Sequence, residues 1–246
     1  INIAATSAGS ESIGIYTDDE TVIETSGTLN IGNSSYGIYG KEIRMTGGTI
    51  NVGDNGVGIY STGSSSATGP DIDLSSGTIK VGNNNAVGVY VEDAATPDTT
   101  NITGNVNMTI GDTNSFGYLI TAKNAPVNLT TGTGTTATVG EKGVYIYSAA
   151  PLAQGGTITN NTAITVDTGK NESYGIYSSQ NADNHGAINL NTGGFGNIGI
   201  YSTEGTGTNH STINVGKTDA TTEAFGIGMA TGYYDKSTGS YSNIGT

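Results

Sequence analysis

The apolar residues of this chain fall in short alternating phrases that recur along its whole length. One phrase ends in Gly-Ile-Tyr: Gly14-Ile15-Tyr16, Gly37-Ile38-Tyr39, Gly58-Ile59-Tyr60, Gly88-Val89-Tyr90, Gly175-Ile176-Tyr177 and Gly199-Ile200-Tyr201. Looser copies are Phe116-Gly117-Tyr118-Leu119, Val144-Tyr145-Ile146-Tyr147 and Phe225-Gly226-Ile227-Gly228. A second phrase precedes most copies, as in TLNIG (28–32), TINVG (49–53), TIKVG (78–82), AITVD (163–167) and TINVG (212–216). A third, weaker phrase is EIRM (42–45), DIDL (71–74) and VNL (127–129). The spacing runs from roughly 21 to 32 residues.

Each phrase alternates with a period of two, the mark of a strand with one buried face. Counted this way, Val57 and Ile59 face inward and Gly58 and Tyr60 face outward. The inward ladder then reads Ile15, Ile38, Ile59, Val89, Ile146, Ile176, Ile200, Ile227. Its inward neighbour reads Ile13, Tyr36, Val57, Val87, Phe116, Val144, Tyr174, Ile198, Phe225. Fixed phrases with elastic spacers are strands in register joined by loops free to grow. No helical period separates them, so βαβ units are excluded. The expectation is a single all-β segment over 1–246: a right-handed parallel β-helix, or solenoid, of about nine rungs with two to three short strands per rung. At about 4.8 Å per rung it would be on the order of 40 Å long. The Gly closing the second phrase (Gly32, Gly53, Gly82, Gly111, Gly140, Gly216) marks a corner needing positive φ or close backbone approach.

Three places resist this register. The spacing that aligns Ile43 with Ile50 would put Val22 and Glu24 inside; an inward Glu is costly, so a slip that buries Ile23 is expected instead. Tyr118 falls on an inward position otherwise held by Ile. The last two full rungs lack a clear third strand.

Composition narrows the class. There are 40 Gly and 4 Pro among 246 residues, and only 34% are hydrophobic, which suits a narrow core with about two inward residues per strand. With 8 Lys and Arg against 21 Asp and Glu, the net charge is −13. Such a surface repels phosphate backbones and anionic membranes, so no nucleic-acid partner is expected. There is no Cys, which excludes disulfides and thiol chemistry. The chain opens and closes within repeat-like text (INIAATS and SNIGT), as a piece of something longer would.

The outward tyrosines Tyr16, Tyr39, Tyr60, Tyr90, Tyr147, Tyr177 and Tyr201 are expected to form a column, all but Tyr147 two residues after an outward Gly that leaves bare backbone for the ring. Three roles are open: a stacking ladder shielding the backbone, an aromatic strip docking a sugar or a partner, or packing against a loop or neighbouring domain. Tyr39, Tyr60, Tyr90, Tyr177 and Tyr201 are the candidate binding residues. The loops at 61–71, 91–101, 148–157, 178–187 and 202–212 are expected as insertions on one side of the solenoid, where recognition residues usually sit.

Rungs of the form G-T-I-N-V-G-x-x-x-x-G-I-Y-S resemble passenger domains of bacterial type V autotransporters, most closely the very large fusobacterial outer-membrane adhesins. The resemblance covers the whole chain. It implies export across two membranes, attachment at the cell surface through a C-terminal membrane barrel outside this segment, and adhesion to a glycan or protein receptor on host cells or other bacteria. It implies no cofactor and a monomeric segment, and it carries over no binding motif. A ligand-free stalk is the alternative within that family.

β-Helices also host polysaccharide lyases and glycosidases, which need clustered carboxylates. Asp71 and Asp73 flank Ile72 and are expected to point outward together; Asp18-Asp19-Glu20 forms an acidic turn. Neither has a basic companion in a chain with the single Arg44 and seven scattered Lys. No catalysis is therefore expected. The only two histidines are less bland. His185 lies three residues before Ile188 and His210 three before Ile213, each after an Asn. On stacked rungs the two imidazoles would share a transition metal, with Asp183 or Glu204 nearby, or meet there by coincidence.

Overall fold

A computed structural model describes residues 1–4, 12–17, 23–63, 69–92, 98–191, 193–216, 226–235 and 240–242. Every recurring phrase is a strand, and each pairs in parallel with the same phrase one turn later. The Gly-Ile-Tyr phrases make a nine-stranded parallel sheet running from Ile13–Tyr16 to Gly226–Thr231. The second and third phrases share a fifteen-stranded sheet, because two strands, Ile43–Val52 and Ile72–Lys80, run unbroken around the corner between them. The result is a three-faced parallel β-helix. A short antiparallel pair, Tyr233–Asp235 with Ser240–Ser242, lies beyond its last turn.

The helix has about seven turns rather than nine. The terminal strands account for the difference: their inward residues are Ile15, only partly buried, and Met229, 39% exposed, while Ile227, expected on the inward ladder, pairs instead with the outward Ile198. Between them Ile38, Ile59, Val89, Ile146, Ile176 and Ile200 are buried, facing Ile50, Ile79, Ile164 and Ile188 of the second phrase and Ile43, Ile72, Ile102 and Ile158 of the third. Ile23 is buried and Glu24 exposed, paired with Ile43 and Arg44, so the slip expected there occurs. Val22 lies outside the described residues, as do Asp18-Asp19-Glu20 and Phe225.

The Gly-Ile-Tyr strand departs from simple alternation. Gly58 faces the core, not solvent: a Cβ there would lie 3.1 Å from Val52 Cγ2 and 2.5 Å from the Gly88 carbonyl of the next turn. Gly88 and Gly199 stand in the same relation to Gly117 and Gly228. Two successive residues, Gly58 and Ile59, therefore point inward, and only glycine lets the strand approach the opposite face that closely. The preceding position is thrown outward. Tyr36, Val57, Val87, Phe116, Val144, Tyr174 and Ile198, expected inside, stack in register outside the core cluster, Val87 and Val144 covered by their neighbours and the rest half-buried. Ser61, Ser148, Ser178 and Ser202, just after the tyrosine, are buried instead.

The corner glycines work by close approach. Gly53 and Gly82 have no positive φ, but a Cβ at Gly82 would sit 2.7 Å from the Gly53 carbonyl carbon. Positive φ falls later in the turn, on Ser34, Asn55, Asn84, Asn85, Thr113, Asn114, Lys142 and Glu172, with Asn the residue that best tolerates it. An Asn/Asp ladder ties these corners together. The Asn33, Asp54, Asn83 and Asp112 side chains accept the N–H of Asp54 (3.0 Å), Asn83 (2.9 Å), Asp112 (2.8 Å) and Glu141 (2.7 Å), each one turn on.

The third strand persists in the last two full rungs, as Asn181–Asn184 and Gly207–Asn209. It has no apolar signature because its inward residues are small or polar: Ala182 and Asn184, then Gly207 and Asn209. Asn160 donates to Asn184 (2.7 Å) and Asn184 to Asn209 (2.7 Å), a hydrogen-bonded ladder inside the solenoid. The segments 178–187 and 202–212 are therefore strand-bearing rungs, not insertions. In 148–157 the extra length is a 3₁₀ turn, Leu152–Gln154, closed by Gly155 at φ 79°. Residues 64–68 of the 61–71 loop and 93–97 of the 91–101 loop lie outside the described residues.

Candidate functional site

The tyrosines form the expected column, in two blocks. Rings of Tyr16 and Tyr39 stack at 5.1 Å and those of Tyr39 and Tyr60 at 4.9 Å; Tyr90 meets Tyr60 edge-on at 5.1 Å. Leu119 takes the next position in register. The column resumes with Tyr147, Tyr177 and Tyr201, at 4.8 and 5.0 Å, and ends where Ala230 follows Tyr201. Sequence reasoning missed a second column beside it. Tyr36, Phe116 and Tyr174 meet Tyr60, Tyr147 and Tyr177 edge-to-face at 5.6–5.7 Å. Nothing in the period-of-two count separates them from rings that do enter the core, as Tyr118 and Tyr145 do.

Hydroxyl partners hold several of these rings. Tyr60 donates to Glu92, Tyr90 accepts from Thr121 (3.2 Å), and Tyr201 donates to the Gly232 carbonyl (3.1 Å). Burial against neighbours, then the Glu92 bond and charge, raise the Tyr60 pKa well above its usual value. Burial, then the neighbouring rings, push Tyr177 up to about 12. Tyr60 and Tyr177 therefore stay protonated across the physiological range.

Between the two columns and the corner ladder lies a groove of 390 Å³, whose lining includes Phe116, Tyr147, Tyr174 and Tyr177, with Lys142 and Glu172. Lys142 and Glu172 form an ion pair at 3.4 Å, each about half-exposed. Apolar ring surface beside neutral hydroxyls and a charged pair is suited to a ligand that has both apolar faces and many hydroxyls.

The expected outward carboxylate pair is not formed. Asp71 is buried and its carboxylate accepts the Asn101 N–H at 2.7 Å, which makes it a structural acceptor; Asp73 lies opposite Arg44 in strand register. The histidines do come together. His185 and His210 follow the paired Asn184 and Asn209, and their rings stack at 4.6 Å, 10° from parallel. Asp183 is the acid beside them, at 3.0 Å from His185 Nε2 and 2.9 Å from His210 Nε2; Glu204 is not in the cluster.

No helix among the described residues is long and apolar enough to cross a membrane. Family models, curated proteins and solved structures give no match to the chain.

Proposed function

We propose that this chain is a non-catalytic segment of a bacterial autotransporter passenger, held at the cell surface by an outer-membrane barrel elsewhere in its parent protein, and that it attaches to host cells or other bacteria. The supporting observation is the tyrosine column, flanked at three turns by Tyr36, Phe116 and Tyr174, with its groove between Phe116, Tyr147, Tyr174 and Tyr177. A shielding ladder alone requires one ring per turn; the second column adds aromatic surface that covers no further strand. The ligand class this favours is a glycan, whose apolar ring faces pack on aromatics while its hydroxyls meet the phenols and the Lys142–Glu172 pair.

The stalk reading has its own support. Tyr39 and Tyr60 lie nearly parallel, 12° apart, so each covers a face of the other. Tyr147 and Tyr177 stack in the same way, 13° apart, so what favours the 116–177 region for binding is its groove and not freer ring faces. A carbohydrate-active enzyme is disfavoured by the burial of Asp71. The three readings separate in one pair of assays, a glycan array and a polysaccharide-degradation assay on the purified chain. Array binding without degradation is expected. Degradation of any bound polysaccharide overturns the non-catalytic reading, and the absence of binding to any glycan, cell or protein leaves the stalk.

A further inference from the structure

The histidine pair is built with more care than a loop coincidence requires. The backbone N–H of His185 donates to the Asn160 carbonyl and that of His210 to the Asn184 carbonyl, both at 2.7 Å, so the two residues leave the solenoid by the same geometry one turn apart. The Asn160–Asn184–Asn209 ladder, buried at its first two members, fixes both departures: Asn184 also donates to the Gly186 carbonyl at 2.8 Å, across the residue that follows it. The imidazoles are thus fixed at their base and free at their tips, with side chains 42% and 52% exposed.

Asp183, one turn on from Thr159 and one before Thr208 in strand register, points its carboxylate at both tips. Its Oδ2 is hydrogen-bonded to His185 Nε2. Its Oδ1 is enclosed and has no well-directed donor, although His210 Nε2 lies only 2.9 Å away. A carboxylate oxygen with a spare lone pair, between two nitrogens that can each offer one, is an arrangement that lacks an electrophile.

We infer that Asp183, His185 and His210 bind a single transition-metal dication of the Zn²⁺ or Ni²⁺ class. The three donors lie within 4.8 Å of one another. A tetrahedral ion with Zn–N and Zn–O bonds near 2.0–2.1 Å separates its ligands by about 3.3 Å, so the N···O distances of 2.9 and 3.0 Å need only a small expansion. Parallel rings send their Nε2 lone pairs side by side, so a shared ion must tilt the tips together. Their exposure allows that tilt. With the ion on both Nε2 atoms, each neutral ring carries its proton at Nδ1. Two neutral imidazoles and one carboxylate leave the bound dication with one net positive charge, and a shallow depression of 370 Å³ beside Asp183 and His210 leaves room for water in the remaining position. Imidazole ligands favour this class over Ca²⁺ and Mg²⁺, which take all-oxygen sites. The site is independent of the aromatic face.

The test is calorimetric titration of ZnCl₂, and separately NiCl₂, into the untagged chain near neutral pH. One ion per chain is expected, with CaCl₂ and MgCl₂ giving no comparable heat. His185→Ala, His210→Ala and Asp183→Asn should each weaken Zn²⁺ binding by more than about tenfold. All three side chains are exposed enough that circular dichroism and melting temperature should match the parent. Absence of Zn²⁺ and Ni²⁺ binding overturns the inference, as does binding that a folded His185→Ala/His210→Ala variant retains.

Discussion

Tyr118 occupies a space that the stack elsewhere gives to Ile, Val or, in its last strand, Met229, and lies between Val89 and Ile146 in register. It fits because Gly104, at the turn position that Leu74 and Thr131 fill on either side, has no side chain: a Cβ there would run into the Tyr118 hydroxyl. Tyr145 fills the next turn at a position otherwise kept for glycine, its hydroxyl donating to Thr162 at 3.1 Å. The Tyr118 hydroxyl itself is buried without a hydrogen-bond partner of good geometry. Gly104→Ala should therefore cost about 1–3 kcal/mol in the parent and clearly less in a Tyr118→Phe background, where the colliding atom is gone. Urea melts of the four proteins measure the coupling; equal costs in both backgrounds would show that the pair does not share this space. The sequence marks Tyr118 as out of place, but Gly104 lies in a different phrase and nothing local connects them. Val57 and Gly58 exchange faces for a related reason. A period-of-two count carries no information about a strand that turns two consecutive residues inward.

At the scale of the strand, the third phrase shows how a solenoid can change its core chemistry while keeping its register. Its second inward position runs Met45, Leu74, Gly104, Thr131, Asn160, Asn184, Asn209. Thr131 donates to Asn160 at 2.9 Å, and from there each amide feeds the next. A hydrophobicity pattern cannot see such a strand, which is why Asn181–Asn184 and Gly207–Asn209 read as loop while their apolar counterparts at 43–45 and 72–74 were legible. The ladder depends on the amide being both donor and acceptor. Asn184→Asp keeps the shape, removes both donations and buries a carboxylate; it should destabilise the chain by about 2–4 kcal/mol. Thermal or urea denaturation checks this. A variant as stable as the parent would mean the ladder is solvated rather than enclosed. If the metal site relies on the same ladder, Asn184→Asp should also weaken Zn²⁺ binding.

At the scale of the molecule, the tyrosines set the alkaline limit. Burial raises the pKa of Tyr118 well above its ordinary value and pushes Tyr145 to about 12, and Tyr177 on the outer column also rises to about 12. In the unfolded chain these phenols ionise near 10. Below that pH both states hold the proton and the stabilisation is fully present. Between 10 and 12 the unfolded state releases protons that the fold retains, so stability falls as pH rises. Unfolding monitored by circular dichroism should set in above pH 10, accompanied by a cooperative rise in tyrosinate absorbance; a smooth titration with the fold intact would place these rings in solvent. The claim on which the functional account rests is that the outer aromatic face, and not only the loops, carries attachment. Its most direct measurement compares the parent with Tyr147→Ser/Tyr174→Ser/Tyr177→Ser for binding to the cells or glycans that the parent recognises, with melting temperatures taken alongside. Binding should weaken by at least about tenfold while the variant keeps the parent's circular dichroism and a cooperative melt. Undiminished binding by the folded triple variant would contradict the account.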